Sequence, residues 1–223
     1  MENRYMRADL VAEKIAAGKH REFIGGMWEA LGDLQFAYMK SVGLLAHHKL
    51  LDVGCGSLRG GVHFIPYLEP KHYFGFDINQ SLMEAGLTNE LSDELRQSHI
   101  RAENFSSSDD FTYPAQWQAL DFAIGLSLFT HLSLNTIKLC LWQTRKVLKT
   151  GGKFHATIFL VEKKNMFVAH QQSAEVLSHP TKDPFHYTHE DMEYLAAATG
   201  FSLCSIDDFE HPRNQKMAVF QKI

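Results

Sequence analysis

The chain has 223 residues, 45% apolar and 22% charged, which suits one full hydrophobic core and excludes a disordered segment. A net charge of −4 carries no polyanion signature and argues against a generic nucleic-acid binder. Three cysteines without a CxxC pair, a charged N-terminal stretch and no membrane-length apolar run exclude a disulfide framework, a zinc site and a membrane span, and lead to the expectation of a reduced, cytoplasmic protein.

The N-terminal stretch reads as helical, with a first helix over 8–18. A second helix covers 27–43, where Met27, Trp28, Leu31, Leu34, Tyr38 and Val42 recur at helical spacing, and Gly25-Gly26 divides the two. From Lys49 strands and helices alternate. The predicted strands are 49–53, 72–76, 99–103, 120–126 and 153–160, with helices near 60–67, over 80–95 and from an N-cap at Ser133 to Gly151-Gly152. Residues 161–187 fit no regular pattern. A helix over 189–198 ends at Gly200, and strands near 202–206 and 216–222 close the chain. This alternation predicts an α/β fold, a doubly wound, mostly parallel sheet of seven strands. The loop 207–215 is too short for a parallel crossover, so the last strand is expected to run antiparallel.

The segment 50–61, LLDVGCGSLRGG, carries the chemistry. An apolar strand (Leu50, Leu51, Val53) runs into the turn Gly54-Cys55-Gly56, which exposes bare backbone N–H groups to a ligand. A dinucleotide fingerprint, G-x-G-x-x-G, fails here because its third glycine falls on Arg59. It also leaves Asp52 unexplained, since a pyrophosphate gains nothing from a carboxylate. In an open α/β sheet the ligand lies beyond the carboxyl ends of the strands. Phe76-Asp77-Ile78 at the second strand end is then placed for a ribose diol, Asn104-Phe105 for an adenine edge and face, and Ser127 for the rim after the fourth strand.

The motif resembles motif I of the class I S-adenosylmethionine-dependent methyltransferases, with Asp52, Gly54 and Gly56 at matching positions, Asp77 as the ribose-binding acid, and 120–127 as the segment after strand four. The resemblance implies S-adenosylmethionine as cofactor, a catalytic domain over 49–223 and a helical cap or lid over 1–48. One departure stands out: the family usually has a third glycine where this chain has Leu58, and Gly60-Gly61 follow instead. Two readings remain open there. Arg59 reaches the cofactor or substrate, or the two glycines let the helix pack close to the sheet. Trp28, beside a glycine hinge, reads either as a lid over the cofactor or as core.

Methyl transfer to a hydroxyl needs a base. His131, just past strand four, is the first candidate, and a structural role in the turn before the next helix is the alternative. The cluster DPFHYTHED (183–191) supplies a second catalytic candidate, His186, and a substrate contact, Tyr187. The loop HPRNQKM (211–217) supplies His211, Arg213 and Asn214 for a polar acceptor. No HxH or HExxH spacing supports a metal. The leading expectation is a small-molecule O-methyltransferase acting on a sugar or secondary metabolite, with no nucleic-acid or membrane partner. The alternatives are a tRNA or other nucleic-acid methyltransferase, against which the proline-free Leu126-Ser127-Leu128-Phe129 speaks, and a non-catalytic cofactor-binding subunit.

Overall fold

The computed structural model describes residue 5 and residues 7–223. These fall into two compact units divided at Asp109–Asp110. The first holds α1 (Ala8–Ala16), α2 (His20–Phe23), α3 (Trp28–Ser41), β1 (Leu50–Val53), α4 (Gly61–Tyr67), β2 (Tyr73–Phe76), α5 (Gln80–Glu90), α6 (Asp93–His99) and β3 (Phe105–Ser106). The second holds β4 (Leu120–Gly125), α7 (Leu134–Val147), β5 (Leu148–Ile158), β6 (His170–Ser173), β7 (Val176–Ser178), α8 (His189–Thr199), β8 (Phe201–Asp208) and β9 (Lys216–Lys222). Seven strands form one sheet in the order β3-β2-β1-β4-β5-β9-β8, and β6 pairs with β7 apart from it. β9 runs antiparallel to both β5 and β8 while β1–β2, β2–β3 and β4–β5 are parallel. The expected architecture, a mostly parallel sheet finished by an antiparallel strand, is therefore the observed one.

In the first unit all four residues of β1 are buried, as a strand covered on both faces requires. Gly75 in the middle of β2 has a packing reason. A Cβ there would sit 2.6 Å from the Phe105 ring and 3.3 Å from the Cys55 sulfur, so the missing side chain lets Phe105 cross the strand. The N-terminal helices pack on α5 through Val11, Phe23 and Leu82. Glu90, at the end of α5, accepts from Arg21 Nε (2.8 Å) and Nη2 (2.5 Å) and lies 2.6 Å from His20 Nε2, fixing α2 in place.

In the second unit α7 starts where expected, with the Ser133 side chain accepting from the Thr136 N–H. Thr188 and Asp191 form a reciprocal capping box at the start of α8, and Gly200 ends it in the left-handed conformation.

Four element boundaries depart from the sequence reading. The single helix expected over 80–95 is two helices, because Ser92 caps a new one by accepting from the Leu95 N–H. That helix runs to His99 and a 3-10 turn takes Ala102–Asn104, so the strand expected at 99–103 is displaced to Phe105–Ser106. Helix α7 ends at Val147 rather than at the glycines. Gly151-Gly152 lie inside β5 beside a register shift in its pairing with β4, where a Cβ on Gly152 would come within 2.9 Å of the Lys149 carbonyl. The stretch 161–187 is not wholly irregular, since it contains the β6–β7 hairpin.

Candidate active site

The carboxyl ends of β1 and β2 build a candidate cofactor site within the first unit. Gly54 and Gly56 take positive φ angles of 77° and 53°, which turn the chain sharply out of β1. The N–H groups of Gly54 and Cys55 donate to the Phe76 carbonyl at 2.7 and 3.1 Å, and the Gly56 N–H donates to Asp77 Oδ2 at 2.8 Å. The Asn79 N–H donates to Asp77 Oδ1 at 2.9 Å. Asp52 is buried and accepts from the Tyr73 hydroxyl at 2.7 Å.

Two carboxyl groups are thus buried at the β1 and β2 ends beside the glycine turn, whose Gly54, Cys55 and Gly56 N–H groups are spent on Phe76 and Asp77 rather than bared to a ligand as the sequence led us to expect. Neither forms an ion pair within 4.0 Å of a cationic side chain among the described residues. Burial pushes Asp52 up to about 7, against the opposing pull of the Tyr73 hydroxyl and the more distant Arg59 guanidinium, with the Asp77 charge adding to the rise. Burial also raises Asp77, opposed by the N–H groups of Asn79, Gly56 and Ile78, and it raises the Cys55 thiol. Buried acids that burial holds toward neutrality are matched by a ligand bringing its own positive charge. Asp77 keeps lone pairs on both oxygens for a diol. The donor set therefore fits a sulfonium nucleoside with an amino-acid end.

Leu58 resolves the departure in the motif. It holds φ at +70°, the left-handed conformation that glycine supplies most cheaply, and its side chain is fully buried. Space for it comes from elsewhere. A Cβ on Gly61 would lie 2.9 Å from Leu58 Cβ, and one on Gly86 would lie 2.9 Å from Leu58 Cγ and 2.4 Å from the Ser57 carbonyl oxygen. A Cβ on Gly60 would meet the Gln35 amide at 2.8 Å. These glycines let α3, α4 and α5 close on the loop. Leu58→Ala is expected to cost roughly 2–5 kcal/mol through the cavity it leaves. Leu58→Gly is expected to be no worse, reversing the usual penalty of about 0.5–1 kcal/mol for glycine over alanine. Urea denaturation of the two variants checks the order, and a glycine variant clearly below the alanine one would contradict the left-handed assignment.

The other residues assigned to the cofactor in this unit are placed as follows. Arg59 is buried, and its Nη1 donates to the carbonyls of Gly26 (3.1 Å) and Ile24 (3.4 Å), so it ties the α2–α3 turn to the loop. Trp28 is buried edge-on to His20 at 6.4 Å, with the Arg21 guanidinium 4.7 Å from its ring centroid. Ile24 stands over the glycine turn, 3.0 Å from where a Gly56 Cβ would lie. Ile78 has an exposed side chain, and its carbonyl accepts from Ser107 Oγ at 3.0 Å. Phe105 lies within β3, its ring over Gly75. Asn104 needs correction. The strand expected to run into it starts after it, so Asn104 sits at the opposite strand end, and its buried amide donates to the Lys71 carbonyl at 3.1 Å.

The remaining candidates lie in the second unit. Ser127, past β4, has a φ of 55°. Its N–H donates to Thr157 Oγ1 at 2.7 Å, and the hydroxyls of Ser127 and Thr157 donate to Gln215 Oε1 at 3.1 and 2.6 Å. This half-buried triangle fixes a strained backbone where β4, β5 and the approach to β9 meet. His131 follows in a 3-10 turn, with Nδ1 2.6 Å from Asp183 Oδ1. The strand-like segment 185–187 runs beside it. The Phe185 N–H donates to the Thr130 carbonyl at 2.7 Å, and the Tyr187 N–H donates to the Phe159 carbonyl at 2.9 Å.

Tyr187 is buried and its hydroxyl donates to the Leu132 carbonyl; burial raises this phenol. His186 is buried, with Nδ1 2.9 Å from Ser178 Oγ. His211 is turned into its own loop, its ring stacked on Phe209 and its Nδ1 accepting from the Arg213 N–H at 3.0 Å. Arg213 is half-buried, and Asn214 stands exposed at φ 58°.

Sequence reasoning missed Tyr73, Thr157, Gln215 and the partnership of Asp183 with His131. Asp183 stood inside a segment already marked as polar and chemically rich. The other three lie at buried strand or loop positions that no local pattern distinguishes.

Residues 51–154 match a family model described as a methyltransferase domain. Among solved structures, human N-acetylserotonin methyltransferase in complex with SAM aligns at a TM-score of 0.68 with 14% identity, covering 99% of this chain and 63% of that one. Magnesium protoporphyrin IX methyltransferase from Synechocystis PCC 6803 with bound SAH aligns at 0.65 with 12% identity, covering 96% and 99%. The CcbJ methyltransferase from Streptomyces caelestis aligns at 0.63 with 11% identity, covering 86% and 96%. At such identities the alignments speak for the fold. Sheet order, the acid–glycine turn and the matched methyltransferase domain are together consistent with a class I S-adenosylmethionine-dependent methyltransferase.

Proposed function

We propose that the protein methylates a hydroxyl group of a small molecule and that His131 is the base that takes the hydroxyl proton. The observation that carries this reading is the His131–Asp183 pair, at 2.6 Å, just beyond β4. A carboxylate on Nδ1 favours the tautomer protonated there and makes Nε2 the basic nitrogen of the ring. Both side chains are partly accessible, at 28% and 34%, as a group that meets a diffusing substrate must be.

S-adenosylmethionine, when bound, supplies an activated methyl group on a sulfonium. Asp52, Asp77 and the 54–56 turn hold and orient it. The helices within residues 1–48 act as a cap, a role supported by Ile24 over Gly56 and by Gly25, Gly26 and Met27, which all take positive φ. Arg213 and Asn214 contribute polar contacts to the acceptor from the loop before β9. Some structural neighbours are named for small acceptors, among them N-acetylserotonin and magnesium protoporphyrin IX, which is in keeping with this reading.

Purified protein given methyl-labelled cofactor and a panel of hydroxyl, amine, thiol and polynucleotide acceptors tests the proposal. Label is expected on hydroxyl compounds. Transfer confined to amines or to tRNA would refute it.

A further inference from the structure

A cavity of about 170 Å³ lies wholly within the second unit, lined among others by Leu134, Met166, Phe167, Thr181, His186 and Tyr187. Its volume resembles that of an apolar cavity of about 150 Å³ known to accept benzene. The walls are largely apolar, and most of the lining polar groups already have partners. Thr188 Oγ1 and the Thr188 N–H donate to Asp191 Oδ2 at 2.9 and 2.8 Å, and the Tyr187 hydroxyl is bonded to the Leu132 carbonyl. Phe167, on the rim, is 81% exposed, an aromatic ring with little apolar surface against it.

His186 differs from these neighbours. It is only 3% exposed, and its Nε2 is buried with no hydrogen-bond partner among the described residues. The bonding around it guides the assignment of its proton. Ser178 Oγ donates to the His170 carbonyl at 3.2 Å and accepts from Gln172 Nε2 at 3.0 Å. With Ser178 Oγ directed at the His170 carbonyl, we assign the proton to His186 Nδ1, 2.9 Å from Ser178 Oγ, and the acceptor role to Nε2. Burial lowers the pKa of His186, while the carbonyl of Met166 opposes that effect. A buried acceptor without a donor is costly unless a ligand supplies one.

We infer that this cavity anchors the acceptor through a single six-membered ring carrying an O–H or N–H donor, with the donor on His186 Nε2 and Phe167 folding over the ring. The inference rests on the proposed acceptor reading only in naming the occupant an acceptor. The anchored donor is a recognition group, separate from the hydroxyl that faces His131.

The test uses the intact protein and three probes built on one ring, phenol, toluene of the same heavy-atom count and the methyl ether anisole, followed by saturation-transfer NMR with competition to obtain affinities. Phenol is expected to bind about tenfold more tightly than anisole or toluene, the worth of one hydrogen bond to a buried acceptor. Thr181→Trp fills the mouth from an exposed position and is expected to abolish phenol binding without lowering the melting temperature. Anisole binding as tightly as phenol, or phenol binding undiminished in a folded Thr181→Trp protein, would overturn the inference. Selective phenol binding without methyl transfer to any hydroxyl acceptor would leave the cavity standing and remove the proposed activity. Methyl transfer to a hydroxyl without phenol selectivity would do the reverse.

Discussion

Asp52→Asn is expected to bind S-adenosylmethionine about a hundredfold more weakly and yet to melt higher than the parent protein at pH 8. The loss follows from removing a buried charge that pairs with a cationic ligand, typically worth 2–5 kcal/mol or roughly 10²-fold and more. The gain follows from linkage. Burial raises Asp52 from its ordinary 3.8 to about 7, so between those values the native state holds a proton that the unfolded chain has released. Its contribution to stability is full below the unfolded value and is lost as pH rises through the folded one. Above pH 7 the folded protein carries the whole penalty, on the order of 4 kcal/mol for a shift of this size. Asparagine escapes that penalty but introduces an amide N–H₂ lacking a partner, at a cost of about 1–3 kcal/mol. The two terms leave a net gain of about 2 kcal/mol at high pH and a net loss at pH 4, where the native carboxyl is already mostly neutral. Melting curves across that range, beside calorimetry with the cofactor, check both limbs. A melting difference that keeps one sign from pH 4 to pH 8 would contradict the account of Asp52.

His131→Ala is expected to lower kcat on a hydroxyl acceptor by 10²- to 10⁴-fold, the usual contribution of a positioned base, with the KM for S-adenosylmethionine unchanged. Asp183→Asn, which keeps the shape of the partner but removes its charge, is expected to fall in between. The informative control is the acceptor's own acidity. A nitrophenol already ionised at the assay pH has no proton to give up, so the two variants should methylate it nearly as well as the parent does. Steady-state kinetics on a series of phenols of decreasing pKa measures this. If His131→Ala impairs ionised and neutral acceptors alike, His131 positions the turn and is not the base.

The features most legible in the sequence were those written in contiguous residues. The acid at the end of β1, the two glycines of the turn and the acid at the end of β2 all stand within short windows, because a strand that ends at a ligand must change from apolar to functional within a residue or two. The antiparallel finish was equally accessible, since loop length alone decides it. Features that depend on register were hidden. Tyr73 reaches Asp52 across two strands, and Gly75 is small because Phe105, thirty positions away, crosses it. The third strand is hidden for a local reason: Ser92 caps a new helix where the periodicity reads as continuous, which shifts the strand start past Asn104. Thr157 and Gln215 are buried polar residues inside otherwise apolar or loop sequence, where pattern is silent. The pairing of His131 with Asp183 spans 52 residues and becomes visible only when the excursion after β5 folds back.

Glycine at a tight loop performs two separable services, a permissive torsion and an absence of bulk. In this protein they have come apart. Leu58 keeps the torsion, and the emptiness is provided by Gly61 along the chain and Gly86 on a neighbouring helix. A pattern written in letters would therefore score position 58 as a degenerate site and discount relatives that share it, whereas a pattern written in dihedral angles would find nothing missing.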